Sequence, residues 1–276
     1  MKKLIIFMLN VCFSFNVFSQ GFIKYFGGNL DDIGYSVIES NDGGLVIAGE
    51  TSSYGNGGSD VYLIKTDEYG DTLWTKTFGG NLGDRAYSIE KTNDGGYIIA
   101  GSTTILGNVG SDIYLIKTDE YGDTLWTKTF GGNSVGRDVA QTYDGGYIIT
   151  GFTGINGGNP DAYLIKTNSI GDTLWTETYG SPGWDKAYSV IEVLQDQAVP
   201  NSGGYKISGY SDDWLNHTDC GWVIETDLYG GLKSIDIPIG NVVYSTVKTV
   251  ENPYNAMVSK TGFTINVPSP EEIFFK

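Results

Sequence analysis

Histidine, cysteine and clustered basic residues are almost missing from this chain. One of its 276 residues is histidine, His217, which excludes most metal sites and any second His-based device. Cys12 and Cys220 are the only cysteines, so there is no disulfide framework. Lys and Arg number 17 against 33 Asp and Glu, a formal net charge of −16, and they form no cluster. DNA or RNA would be repelled, which excludes a nucleic-acid partner. Charged residues make up only 18% and hydrophobic ones 40%, which argues against a disordered chain and supplies a sizeable core. No long apolar run follows Phe18, so no membrane span is expected in the mature chain. No helical pattern is present, so no glycine loop opens a helix to cradle a phosphate.

What is abundant is Gly, with 40 residues, and Tyr, with 19. With many Thr and Ile, they favour strands joined by tight turns. The first nineteen residues read as a secretory signal peptide. Lys2 and Lys3 precede an apolar stretch from Leu4 to Phe18, and Val17-Phe18-Ser19 supplies compact residues before a cleavage site. A membrane anchor is disfavoured because Asn10 and Asn16 interrupt a short stretch. A lipoprotein is disfavoured because Leu9-Asn10-Val11 fits poorly before Cys12. The expected address is secreted, extracellular or cell-surface.

Internal repetition dominates the rest. Residues 23–74 align with 75–126 without a gap, at an offset of 52. Asp42-Gly43-Gly44 recurs as Asp94-Gly95-Gly96 and Asp144-Gly145-Gly146, then weakly as Ser202-Gly203-Gly204. Asp60-Val61-Tyr62-Leu63-Ile64-Lys65-Thr66 recurs from Asp112 and Asp161, and weakly from Asp219. Trp74 recurs as Trp126 and Trp175. The copies run at about 33–78, 85–130, 137–179 and 186–240. Each reads as four strands; in the first they are Tyr35 to Glu39, Leu45 to Ala48, Val61 to Ile64 and Thr72 to Phe78. Asn41-Asp42-Gly43-Gly44 and Asp67-Glu68-Tyr69-Gly70-Asp71 read as hairpin turns. Four antiparallel strands per copy predict an all-β fold, a β-propeller of about four blades over residues 20–240. Gly21–Phe26 matches an outer strand, as does Leu232 to Ile237 in the fourth copy. Five outer strands then serve four sets of inner ones, which leaves ring closure open.

The string Asp60…Lys65-Thr66-Asp67…Gly70…Leu73-Trp74…Phe78-Gly79-Gly80…Asp84…Ser88…Asp94-Gly95-Gly96-Tyr97-Ile98…Gly101-Ser102-Thr103 resembles the bacterial secreted β-propeller repeats of the SBBP kind. The resemblance covers residues 21–240 and implies an extracellular propeller, often within a large multidomain protein. It transfers no catalytic residue. The fourth copy departs from it, with Ser202 for the turn Asp, Glu225 for the Lys and no Trp after Gly230. In the tail, 241–276, Glu251-Asn252-Pro253-Tyr254-Asn255 and Thr264-Ile265-Asn266-Val267-Pro268 resemble the start of a type IX secretion sorting domain. These 36 residues are too few for such a β-sandwich; a capping strand is the alternative.

Asp60, Asp112, Asp161 and Asp219 each precede an inner strand, and Asp32, Asp84 and Asp185 each follow an outer one. A ring of carboxylates suits Ca²⁺, but a residue repeated in every copy serves the copy, so no metal or other cofactor is expected. Lys65, Lys117 and Lys166 are expected to be solvated or paired with the carboxylates of the turn that follows them, a modest surface effect. Trp74, Trp126 and Trp175 are expected to pack between copies.

In a four-stranded meander the second connections and the links between copies fall at one end. The second connections (50–59, 102–111, 152–160 and 210–219) differ between copies, while the opposite turns barely vary. Variable loops on a repeated scaffold are where binding is expected. That end carries Tyr54, Asn56, Asn108, Asn156 and Trp184, with Asp185, Asp212, Asp213, Trp214 and His217. Aromatics beside Asn and Asp suit sugars or peptides. For catalysis there is little: His217 has no nucleophile motif near it, and Asp185 with Asp212 or Asp213 is a carboxylate pair of common residues. The expected function is therefore a non-enzymatic binding or scaffold protein for a glycan, peptide or cell-surface partner. The alternatives are a carbohydrate-active propeller enzyme and a piece of a larger surface assembly.

Overall fold

A computed structural model describes residues 22–104, 110–154, 158–181, 183–194, 203–213, 218–233 and 248–249. The first copy forms β1 (Asp32–Glu39), β2 (Leu45–Thr51), β3 (Asp60–Thr66) and β4 (Thr72–Phe78). The second forms β5 (Asp84–Lys91), β6 (Tyr97–Thr104), β7 (Ser111–Thr118) and β8 (Thr124–Phe130). The third forms β9 (Ser134–Gln141), β10 (Tyr147–Thr153), β11 (Asp161–Thr167) and β12 (Thr173–Gly180). The fourth forms β13 (Trp184–Val193), β14 (Gly204–Asp213) and β15 (Thr218–Thr226); β16 (Lys248–Thr249) follows. All pairings are antiparallel meanders, and no helix occurs among the described residues. β16 adds to the free edge of β12, where Tyr179 faces Thr249 and Gly180 faces Lys248.

The inner strands exceed their apolar cores. β3 starts at Asp60 and ends at Thr66, both buried, because paired backbone satisfies groups that would otherwise be lost at the ends. The sheets then stack in chain order. Val46, Ala48, Val61 and Leu63 of the first pack on Ala86, Ile89, Tyr97 and Ile99 of the second. Ile98, Ala100 and Leu115 of the second pack on Val139, Tyr147 and Ile149 of the third. Ile148, Ala162 and Leu164 of the third pack on Ala187, Val190, Tyr205 and Ile207 of the fourth. Burying such side chains is worth roughly 1.5–3 kcal/mol each, so each sheet is stabilised by its neighbours.

The tryptophans lie between copies as expected. The Trp74 ring occupies the space where a side chain on Gly122 would stand, and Gly122 also has φ 77°, so glycine is required there twice over. Trp126 and Trp175 meet Tyr147 and Tyr205 of the following sheets at 5.8 Å between ring centroids. Phe22 takes the tryptophan's place against Gly70. Lys24 reaches Asp71 at 2.6 Å, as Lys76 reaches Asp123 at 2.6 Å and Lys128 reaches Asp172 at 2.9 Å. Residues 22–28 thus repeat the contacts of an outer strand, although they belong to no sheet. The fourth copy's own outer strand begins, with Leu232 bridging Thr226 and Lys233 N donating to Glu225 O; residues 234–237 lie outside the described residues.

The lysines correct the expectation of a solvated face. Lys65, Lys117 and Lys166 are buried. Each ammonium donates to the carboxylate of the preceding Asp-Gly-Gly turn, Asp42, Asp94 or Asp144, and to the carbonyl of the next threonine. They can do so because the turn glycine beside each one, as at Gly96, leaves room for the ammonium.

The two outermost faces differ. Val37 is 58% exposed, whereas its counterparts Ile89, Val139 and Val190 are 3–4% exposed beneath the preceding sheet. At the other extreme, Lys206 and Glu225 form a 3.7 Å pair where the other copies place Val46, Ile98 or Ile148 beside a lysine. The fourth sheet's outer face is mixed, the ion pair lying beside Ile191 and Val223, which are 57% and 69% exposed; neither outermost face is that of a polar capping repeat.

Candidate functional site

The β2–β3 connection and the link from β4 to β5 meet at one end of the sheets. Asp84 N donates to Ser59 O at 2.7 Å, and Asp185 N donates to Pro160 O at 2.7 Å. In the first and third copies the variable connection thus meets the following link, as the meander requires.

Tyr54 stands at this end, 47% exposed, with its hydroxyl donating to Gly27 O at 3.1 Å and its ring 5.7 Å from that of Tyr62. Trp184 is 49% exposed; its indole N–H donates to Asn159 Oδ1 at 3.0 Å. Asp212 lies opposite Trp184 in the register, and Asp213 pairs with Thr218 through the backbone. Trp184 and Asp212 are thus brought together, while Tyr54 is held by the first sheet. Asn108, Asn156, Trp214 and His217 lie outside the described residues.

Asp185 is buried and accepts from Ser181 N at 2.5 Å and Ser181 Oγ at 2.9 Å. It fastens the link rather than facing a ligand. Asp84 does the same with Gly80 N at 2.9 Å, and Asp32 with Gly28 N at 2.8 Å. Asp60 accepts from Asn56 N at 2.7 Å. These carboxylates sit in pairs across the links. Burial raises the Asp60 carboxyl, outweighing the Asn56 hydrogen bond, and the Asp84 charge adds to it. Burial, with Asp185 nearby, pushes Asp161 up to about 6. Among the described residues no three His, Cys, Asp or Glu side chains converge as metal ligands.

A second constellation was not anticipated from the repeat. Each first strand carries one bulge, and the extra residue is Tyr35, Tyr87, Arg137 or Tyr188. A bulge turns its extra side chain out of the alternation, here toward the same residue of the neighbouring sheet. The rings of Tyr35 and Tyr87 are 5.2 Å apart. The Arg137 guanidinium lies 4.2 Å from the Tyr87 ring centroid, 5.4 Å from Phe152 and 5.8 Å from Tyr188. Lys186 Nζ lies 5.0 Å from the Phe152 centroid and 4.7 Å from Trp184. The cluster thus runs into the variable-loop end through Trp184.

Its charges are satisfied unequally. Arg85 Nε pairs with Glu50 at 2.5 Å, and Tyr35 donates to the same carboxylate at 2.7 Å. Burial and the Glu50 hydrogen bond push the Tyr35 phenol up to about 12. Arg137 Nε is buried without a partner. Burial, then the Arg137 charge, lowers the Lys186 ammonium. The signal in the sequence was small but legible: the chain has just two arginines, Arg85 and Arg137, and both fall on first strands.

Farther along the first strands lies a groove of about 630 Å³ lined by Ser36, Ser88, Asp138, Glu90 and Glu192 among others. Its polar groups are used between sheets: Ser88 Oγ donates to Asp138 at 2.8 Å, and Val190 N donates to it at 3.0 Å.

No family model matches this chain, and no curated protein matches it. Among solved structures it is similar to the tail fiber of Staphylococcus aureus phage P68, with 9% identity and a TM-score of 0.24. That similarity covers 67% of this chain and 48% of the tail fiber chain, so the chain spans about half the length of its neighbour.

Proposed function

We propose that this chain is a secreted, non-enzymatic repeat protein of the β-propeller kind that binds an extracellular glycan through its variable-loop end. One observation carries the reading. Sheets that are near-identical at their turn end present half-exposed aromatics, Tyr54 and Trp184, at the end where the copies differ. Aromatic faces beside amide and carboxylate groups are suited to sugar rings. The link carboxylates favour binding over cleavage, because Asp185 is buried and its Oδ2 is taken by Ser181 N and Oγ. The test is glycan-array binding by the secreted chain and its Trp184→Ala variant. The expected result is a defined set of glycans bound by the parent and at least tenfold weaker binding by the variant. Equal binding by both would place the ligand elsewhere.

A second reading, a piece of a larger surface assembly, is favoured by the open first sheet. Val37 is exposed where the corresponding side chains are covered, and the fourth sheet's outer face likewise exposes Val223 beside Lys206 and Glu225. A second copy seated on the first sheet is expected to give a concentration-dependent rise in mass by light scattering, abolished by Val37→Lys. A constant monomer mass would rule this reading out.

A further inference from the structure

We infer that the bulge residues of the first strands form a binding site for a carboxylate-bearing sugar, a uronic acid unit, held between Arg137 and Lys186. The inference deepens the glycan-binding reading and rests on it.

The starting point is an electrostatic anomaly. In a chain of net charge −16, cations normally find carboxylates, and among the described residues eight of the nine ion pairs join a lysine to an acid, Arg85–Glu50 being the ninth. Arg137 and Lys186 make no ion pair and donate no side-chain hydrogen bond among the described residues. They sit instead around one ring: the guanidinium is 5.4 Å and the ammonium 5.0 Å from the Phe152 centroid. Two half-buried like charges around one aromatic ring repel each other, and the ring faces offset this without supplying a counter-charge. An anion placed between them removes both costs, and a guanidinium offers a planar carboxylate two parallel hydrogen bonds.

The surroundings select the kind of anion. Tyr87, Tyr188 and Trp184 supply aromatic faces around the two cations, and Tyr188 and Trp184 are 46% and 49% exposed. Such faces suit the C–H side of a pyranose, whereas a bare inorganic anion would have no use for them. A long polyanion would be repelled by the rest of the molecule, which favours a short acidic sugar with few charges over an extended polymer. Arg85 is a wall and not a ligand, since Glu50 already neutralises it and Tyr35 locks that carboxylate.

The experiment is titration calorimetry of the full secreted chain with tetragalacturonate, its methyl ester and tetraglutamate, at low and at physiological salt. The expected result is binding of tetragalacturonate that weakens with salt and falls at least tenfold for the ester. Arg137→Gln and Lys186→Met should each weaken it at least tenfold, with urea midpoints close to the parent's. Arg137→Lys, which keeps the charge and loses the fork, should lie between the parent and Arg137→Gln. Equal binding of acid and ester, or full binding by folded Arg137→Gln, overturns the site. Binding of tetraglutamate as tight as that of tetragalacturonate overturns the sugar assignment. Neutral glycans bound through Trp184, with no response to Arg137 or Lys186, would sink this inference and leave the broader glycan-binding reading standing.

Discussion

Gly101→Ala is expected to unfold the second sheet or to destabilise it by about 3–5 kcal/mol, at the top of the range for one substitution. Gly101 faces the bulge of β5, where the register skips Tyr87, and the bulge drives the Arg85 carbonyl toward the Gly101 Cα. A methyl group there would overlap that carbonyl oxygen, and backbone, unlike a flexible side chain, cannot step aside. Gly49 and Gly151 meet the carbonyls of Ile33 and Val135 in the same way. A urea titration followed by tryptophan fluorescence reads the effect, with Gly80→Ala as the control, since a Cβ on Gly80 would meet nothing within 4 Å. A midpoint for Gly101→Ala within error of the parent's would show that the bulge is dispensable. Loss of the bulge should also release Tyr87 and with it the support beneath Arg137.

Asp94→Ala is expected to cost about 3 kcal/mol, because it strands the Lys117 ammonium. That ammonium is 3% exposed and donates to Asp94 at 2.9 Å and to Thr118 O at 2.8 Å. The carboxylate is 57% exposed, so water tempers the loss and places it at the lower end of the range for a broken buried pair. Melting should fall by roughly 6–12 °C for a domain of this size. Adding Lys117→Met should recover most of it, to within about 1 kcal/mol of the parent, because a matched apolar replacement leaves nothing unpaired. Failure of the second substitution to rescue the first would mean that the aspartate acts as a turn former and not as a counterion. Burial alone would raise the Asp94 carboxyl, but hydrogen bonds from Thr92 and Lys117 outweigh it and hold it below its ordinary range. Its contribution is therefore complete above the unfolded carboxylate range and is lost as pH falls through the depressed folded value. The difference between parent and Asp94→Ala should close in acid. The fourth copy has made the paired exchange itself, with Ser202 for the aspartate and Glu225 for the lysine.

The repeat made most of the scaffold legible. The Asp-Gly-Gly turns, the inner strands and the tryptophan contacts follow from residues a few positions apart, whose preferences are local and recur in register. Strand ends were less legible: Asp32 and Asp60 read as loop residues by composition, yet pairing carries β1 and β3 to them. Lys65, Lys117 and Lys166 read as surface charges because each lysine's partner lies 22 or 23 residues back, across a hairpin. Of the proposed site, Trp184 was singled out from its loop, but Arg137, Lys186 and the bulge tyrosines were not. A bulge is one extra residue in a pairing, and pairing is not visible in either strand alone.

The sequence by itself determined an all-β chain of repeated antiparallel meanders, their turns, and the end at which the copies diverge. Periodicity and turn chemistry are written along the chain, so no knowledge of distant contacts was needed. Only the tertiary structure decided that three lysines are buried, that Val37 is exposed where its counterparts are covered, and that two unpaired cations meet around Phe152. Those outcomes depend on which sheet lies against which and on a one-residue slip in each first strand. Both are set by packing between residues about fifty positions apart, where loop closure and burial, not local preference, select the arrangement.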